Sequence, residues 1–343
     1  MSGTDEGRAW LRDPDPHLAL IEDALTALGS TYLYHVHQDL HRLLGLPALG
    51  ADVIREAYRA EHLPGQLAKA APPSRSEAWS NAVRLFDKIK DLQQHRARDL
   101  RDLARAVTEK WYAEELLPTR AAQATVKARL LGMLRAAGAA PGGLFPTSLD
   151  EATAQVVDAH RAGAVDYARE HALELVDGLR DSTRHAIAGE LLDAQAERRS
   201  PQDTAGRLLD RFATMNRDWR RLAVTEASTH RAHGYLHGLP ELSEVQWVAA
   251  QGACGHCAAL HGRTFRVRHS PGDAGAEVWP GKSNRGRAFA PRERGGRERH
   301  PDELAAPTIP LHPHCRCRWL RVQGAPKVSS PKLEAYLAHL ATL

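Results

Sequence analysis

Apolar residues in the first part of the chain recur at steps of three and four. In DPDPHLALIEDALTALGSTYLYHV the positions Leu18, Ile21, Leu25, Leu28 and Tyr32 trace one stripe, with Asp15 as cap and Pro16 at the first helical position. This spacing predicts a helix from Pro16. A second run follows APPSRSE, where Ser74 and Glu77 form a capping box, and no Gly or Pro interrupts it before Pro118. Within it Ile89, Leu92, Leu100, Leu103, Val107 and Trp111 keep the helical period. A helix of that length is expected to pack on a partner helix.

The stretch RAAGAAPGGLFP, residues 135 to 146, is rich in small residues, Gly and Pro and reads as a linker. Ser148 and Glu151 open another capping box, followed by Leu149, Ala152, Val156, His160, Ala164, Tyr167, His171 and Leu175 on one predicted face. Ser200-Pro201 starts a further helix, and Asn216 is a candidate cap of the next, NRDWRRLAVTEASTHRAHGYLHG, which Gly238 and Pro240 end. Beyond Pro240 the texture changes. SEVQWVAA, GRTFRVR and CRCRWLRV are short β-like runs, and AYLAHLATL closes the chain as an amphipathic helix.

The expected fold is therefore mainly α, with a small C-terminal α/β module. Its divisions are a helical docking or assembly region at 1–135, a linker at 136–146, a helical stretch at 147–240, a β-rich Cys/His module at 241–323 and a tail helix at 324–343. The module's apolar content is too low to supply much core, so a staple is expected.

Composition adds little until the cysteines are placed. Hydrophobic content of 43% and charged content of 26% are ordinary for a globular protein, which excludes wholesale disorder. No run has the ~18 apolar residues of a spanning helix, and MSGTDEGRAW lacks the charged and then apolar profile of a secretory signal. No membrane partner is expected. A reducing compartment is, and there clustered cysteines read as metal ligands or catalytic groups before disulfides.

All four cysteines lie in two knots, CGHC at 254–257 and PLHPHCRC at 310–317. Cys254-x-x-Cys257 is the spacing of a zinc knuckle, and the second knot supplies His312, Cys315 and Cys317. A structural zinc takes four ligands in a tetrahedron, with Cys3His among the common sets. Cys315 and Cys317 would point to opposite faces of an extended strand, so both can reach one ion only if the chain turns there. The first-choice set is Cys254, Cys257, His312 and Cys315, with Cys317 competing for the fourth place and His256, His261 and His314 spare. The alternative is a group of buried thiols packing a small core, with His312 satisfied by a backbone carbonyl.

The same residues carry a family resemblance. Thr225, Glu226, Trp247, Cys254, Cys257, Leu260, Gly262, His312, Pro313, Cys315, Arg316 and Cys317 resemble the motif of the phage Mu F-like minor head proteins, the head morphogenesis domain of tailed bacteriophages. The match spans about residues 146 to 322. It departs at Val224, where the family has Arg, and at Pro310-Leu311, where it has Pro-Pro. The resemblance implies a non-enzymatic minor capsid protein, inside the virion near the portal and in the host cytoplasm during assembly. Portal and capsid proteins are the implied partners, with packaged DNA as a further one and no small-molecule substrate.

Between Arg263 and Arg299 ten Lys or Arg stand against four Asp or Glu, a segment that phosphates would attract. Its candidate nucleic-acid residues are Arg263, Arg266, Arg268, Arg285, Arg287, Arg292, Arg294, Arg297 and Arg299; the alternative is a solvated loop. Two rival functions remain. One is a phage-derived effector or toxin joined to such a domain. The other is a zinc-dependent enzyme, but the H-x-E with P-C-x-x-C pairing of zinc deaminases and the H-E-x-x-H of zinc hydrolases are both missing.

Overall fold

A computed structural model describes residues 15–48, 97–138, 144–271, 276–282, 307–322 and 330–343. Among them the chain is mainly helical, with a small mixed sheet near its C-terminus. The helices are α1 (Pro16–Leu43), α2 (Ala97–Glu114), α3 (Leu117–Ala137), α4 (Leu149–Val156), α5 (Ala159–Glu197), α6 (Pro201–Gly238), the short α7 (Gly255–Leu260) and α8 (Pro331–Thr342). The strands are β1 (Glu244–Val248), β2 (Thr264–Val267), β3 (Glu277–Val278) and β4 (Arg318–Arg321). The capping box at Ser74 and Glu77, and Ile89 and Leu92 beyond it, lie outside the described residues.

Local chemistry sets most boundaries. α1 begins at Pro16, the Asp15 carboxylate accepts from the His17 N–H at 3.1 Å, and Leu18, Ile21, Leu25, Leu28 and Tyr32 are all buried. Ser200 caps α6 by accepting from the Asp203 N–H at 3.1 Å. Ser148 likewise accepts from the Glu151 N–H at 3.1 Å, but Glu151 reaches one residue further back, to the N–H and hydroxyl of Thr147. The apolar spacing after Ser148 predicts one unbroken helix, whereas the chain breaks at 157–158. Val157 is extended there, and the Asp158 side chain accepts from the Arg161 N–H at 3.1 Å, starting α5 afresh. The restart rotates the buried face to Val165, Ala168, Ala172, Val176 and Leu179, leaving Tyr167 48% exposed. Asn216 caps nothing: it is buried inside α6 and accepts from the Ser30 hydroxyl at 2.6 Å.

The chain groups into two compact units. One comprises Met1–Asp23, Gln123–Glu170 and Leu222–Leu343; the other comprises Ala24–Ala122 and His171–Arg221. Of the linker at 136–146, residues 139–143 lie outside the described residues, and Ala136 and Ala137 belong to α3.

The second unit is helical and threaded with buried polar groups. Asp39 on α1 receives both Lys110 Nζ at 2.9 Å and the Trp111 indole N–H at 2.7 Å from α2, so its buried charge is paired and hydrogen-bonded. His35 stacks on Trp111 with ring centroids 4.2 Å apart, and burial pulls its pKa down to about 4. His37 meets both Phe212 and His41 edge-on, the latter at 5.0 Å, and His41 also turns to the Pro47 carbonyl. Gly29 leaves room for Trp219, whose indole N–H donates to the Leu25 carbonyl at 2.9 Å.

The first unit holds the sheet, in the order β3-β2-β1-β4. β1 is antiparallel to β2 and to β4, and β2 is parallel to β3. Strand alternation turns Val245, Trp247, Phe265, Val267, Val278 and Trp319 inward. They form one core with Leu260, Ile309 and Leu311, with Ala232, Leu236 and Leu239 at and just beyond the end of α6, and with Ala136 of α3. The module is thus not poor in core, as its own composition suggests: helices outside it supply the missing apolar surface. α8 joins this unit through Leu333, Tyr336, Leu337 and Leu340, and Arg135 binds Glu334 at 2.6 Å and Asp15 at 3.1 Å.

Within the same unit α3 crosses α6 at glycines. A Cβ on Gly132 would overlap the Arg231 carbonyl, and one on Gly234 would overlap the Arg129 carbonyl. Backbone cannot yield as a flexible side chain does. Gly132→Ala or Gly234→Ala should therefore lower stability by about 3 kcal/mol in urea unfolding. Gly178→Ala, where nothing lies within 4 Å, should raise it by up to about 1 kcal/mol. Equal effects at the three positions would refute the close crossing.

Candidate metal centre

β1 leads directly into the first knot. After Val248 the chain turns through Gly252, which adopts the left-handed conformation at φ 71°, and Cys254 becomes the N-cap residue of α7. Cys257 follows one turn later on the same side. The glycine freedom this needs is at Gly252 and at Gly262 (φ 84°), whereas Gly255 is an ordinary helical residue. The Gly262 N–H donates to the Trp247 carbonyl at 2.9 Å and the Trp247 N–H to the Arg263 carbonyl at 2.9 Å, pinning the knot to the sheet.

The second knot precedes β4. His314 takes the left-handed conformation at φ 62°, and the Cys315 N–H donates to the His312 carbonyl at 3.1 Å. This turn brings the chain back just before Cys315. Residues 315–317 precede β4, and both Cys315 and Cys317 are buried toward the cluster. His312 donates from Nδ1 to the Pro313 carbonyl at 2.8 Å, which fixes the tautomer and leaves Nε2 with a free lone pair.

Helix α6 carries the second knot. Ser228 Oγ donates to the Cys315 carbonyl at 3.0 Å, Arg231 Nη2 to the Cys317 carbonyl at 3.1 Å, and the His314 N–H to Thr225 Oγ1 at 3.1 Å. Arg316 reaches Glu22 at 2.7 Å. A side-chain to backbone bond across the fold leaves no periodic trace, so the sequence gives no sign of Ser228 or of the role of Arg231. His230 is fully buried, accepting from Arg129 at 3.2 Å with Glu226 at 3.9 Å.

All five candidate ligands meet. Cys254 Sγ and Cys257 Sγ each lie 3.2 Å from His312 Nε2, and Cys257 Sγ lies 3.8 Å from Cys315 Sγ. Cys254, Cys257 and His312 have their donor atoms within 4.8 Å of one another, as do Cys257, Cys315 and Cys317. His256, His261 and His314 belong to neither group, and His261 Nδ1 accepts from the Ala249 N–H at 3.2 Å.

The electrostatics favour a cation. Hydrogen bonds with Cys257 and then Cys317 hold the Cys315 thiol well below the usual thiol range. Cys257 is pushed far up, first by its bond to Cys315, then by Cys317 and by burial. For Cys317 the bond with Cys257 pulls down, but that with Cys315 and burial outweigh it, to about 11. Cys257, Cys315 and Cys317 thus pull against one another for charge in one space. A divalent ion at the centre removes that conflict, because each sulfur then faces positive charge.

The basic segment shows a different picture. Arg263 follows the first knot, Arg266 stands opposite Glu244 and Glu277 in the sheet register, and Arg268 pairs with Glu241 at 3.5 Å and Glu277 at 3.9 Å. Arg285, Arg287, Arg292, Arg294, Arg297 and Arg299 lie outside the described residues. No helix among the described residues is long and apolar enough to cross a membrane.

In comparisons with known proteins, no family model, no curated protein and no solved structure matches this chain.

Because the sheet has its own core, metal removal should act locally. A strong chelator should speed amide exchange at 250–262 and 312–317, while Val245, Trp247 and Trp319 and helices α1 and α5 keep their protection. Unchanged exchange in both knots would show that no ion holds them.

Proposed function

We propose that this chain is a minor capsid protein of a phage or prophage, of the Mu F-like head-morphogenesis kind, closed by a structural zinc ion. One observation carries this reading: the Cys and His residues of the resemblance form two three-donor groups that share Cys257, and several of its other residues pack on or brace them. Trp247 lies in the core that includes Cys257, Cys315 and Cys317, Gly262 makes the turn after the first knot, and Thr225 holds the second. A motif scattered over about ninety residues of sequence thus acts as one structural device.

Zinc suits the donor set, since a d10 ion without geometric preference accepts thiolate and imidazole in a tetrahedron. Cys254, Cys257, His312 and one or both of Cys315 and Cys317 would hold it. When bound, the ion supplies cross-linking and charge neutralisation. Five protein donors exceed four coordination places, which supports a structural role, because a catalytic zinc keeps a place open for water or substrate.

On this reading the helical N-terminal region docks on portal or capsid subunits, and the protein resides in the virion near the portal. Purified particles should contain the chain, protected from protease until they are opened. The isolated protein should carry about one zinc by elemental analysis. Absence from particles, or toxicity of the N-terminal region alone, would favour an effector instead.

The segment from Arg263 to Arg299 gives this reading its contact with packaged DNA. Replacing Arg292, Arg294, Arg297 and Arg299 by Glu should flatten the salt dependence of duplex binding. An unchanged slope removes the segment from that role.

A further inference from the structure

We propose that the centre holds one donor more than its ion uses, with Cys257 indispensable and Cys254 and Cys317 able to replace each other. This rests on the reading of the cluster as a metal centre. Cys257 is the residue common to both three-donor groups, and it is buried on the first turn of α7, where it cannot withdraw without unwinding that helix.

Thiolates bound at ~2.3 Å in a tetrahedron stand about 3.8 Å apart. Cys257 and Cys315 already have that separation, at 3.8 Å, so they form a ready edge of the coordination shell. His312 Nε2 lies 3.2 Å from Cys257 in the other three-donor group and is fixed in the ligating tautomer by Pro313, so binding of the ion draws it toward Cys315 as a third corner. The fourth corner can be reached from two sides. Cys254 approaches from the half-buried rim, as the N-cap residue of α7. Cys317 approaches from the buried side, on backbone held by Arg231.

Coordination number decides against both binding at once: a structural zinc takes four ligands, and the five donors here exceed that by one. Loss of the rim donor, by alkylation or oxidation of Cys254, then leaves the centre filled, because Cys317 takes the vacated corner.

The test uses the full chain and zinc alone as probe, with bound metal measured by elemental analysis and affinity by competition with a chromogenic chelator. Cobalt substitution reports the number of thiolates through its sulfur charge-transfer absorption. Cys254→Ser and Cys317→Ser should each keep about one ion, lose less than about tenfold in affinity and give the wild-type thiolate count. The double variant and Cys257→Ser should each lose more than about a hundredfold, beyond the effect of an outer-shell partner.

A hundredfold loss in either single variant would assign a fixed fourth ligand and overturn the proposal. So would two ions per wild-type chain, with Cys257 bridging, or retention of the ion by Cys257→Ser. A wild-type chain with no ion would instead refute the metal reading beneath it. Should Cys257→Ser not fold, as circular dichroism would reveal, the two single variants against the double still decide.

Discussion

Thiolates brought together in a largely buried space repel one another, and thiols and an imidazole gain little as neutral groups, so their convergence suits a cation at its centre. Cys254 and His312 are 58 residues apart in sequence yet touch at 3.2 Å. Closing so long a loop costs chain entropy, and weak S–H···N contacts do not offset it. A divalent cation does, since its ligation free energy becomes folding free energy when the unfolded chain has no prearranged site. The positions of the turn at Gly252, the cap at Cys254, the left-handed His314 and the tautomer of His312 all follow from that demand.

The donor cluster is nonetheless not the only thing that holds this part of the chain. Trp247 and Trp319 meet edge-on at 5.4 Å, and Phe265 meets Trp319 at 5.5 Å. Aromatic pairs of this kind add to their area burial, and here they sit beneath strands whose other faces carry Glu244, Gln246, Thr264 and Arg266. Core and cluster divide the labour. The core fixes where the strands lie, and the donor cluster joins the two loops that the strands leave at their ends.

Much of this was legible in the sequence because it depends on neighbours. Pro16, Ser148, Ser200-Pro201 and Gly238 mark helix ends through local hydrogen bonds or the lack of a donor, and the three β-like runs alternate visibly. The donor cluster was legible too, since four cysteines in two knots leave few arrangements. What the sequence hid is non-local or competes with a pattern. The break at 157–158 interrupts an apolar spacing that continues on both sides of it, and only the Asp158 cap betrays it. Asn216 looks like a cap and is a buried partner of Ser30. β3 has two residues, too short for any period, and the core of the C-terminal module is partly borrowed from α3 and α6.

One turn and a half of α6, from Ser228 to Gly234, joins these levels. On one side Gly234, and the Arg231 carbonyl against Gly132, let the backbones of α3 and α6 meet. On another, Ser228 and the Arg231 guanidinium hold the carbonyls of Cys315 and Cys317. Arg231 thus contributes its backbone to the helix crossing and its side chain to the second knot. Any change that forces α3 and α6 apart moves the groups that orient two of the sulfurs, although the crossing contains no ligand. Helix packing sets the position of the knot to within hydrogen-bond tolerance, so the small residues of the crossing help to place the donor cluster although they carry no donor.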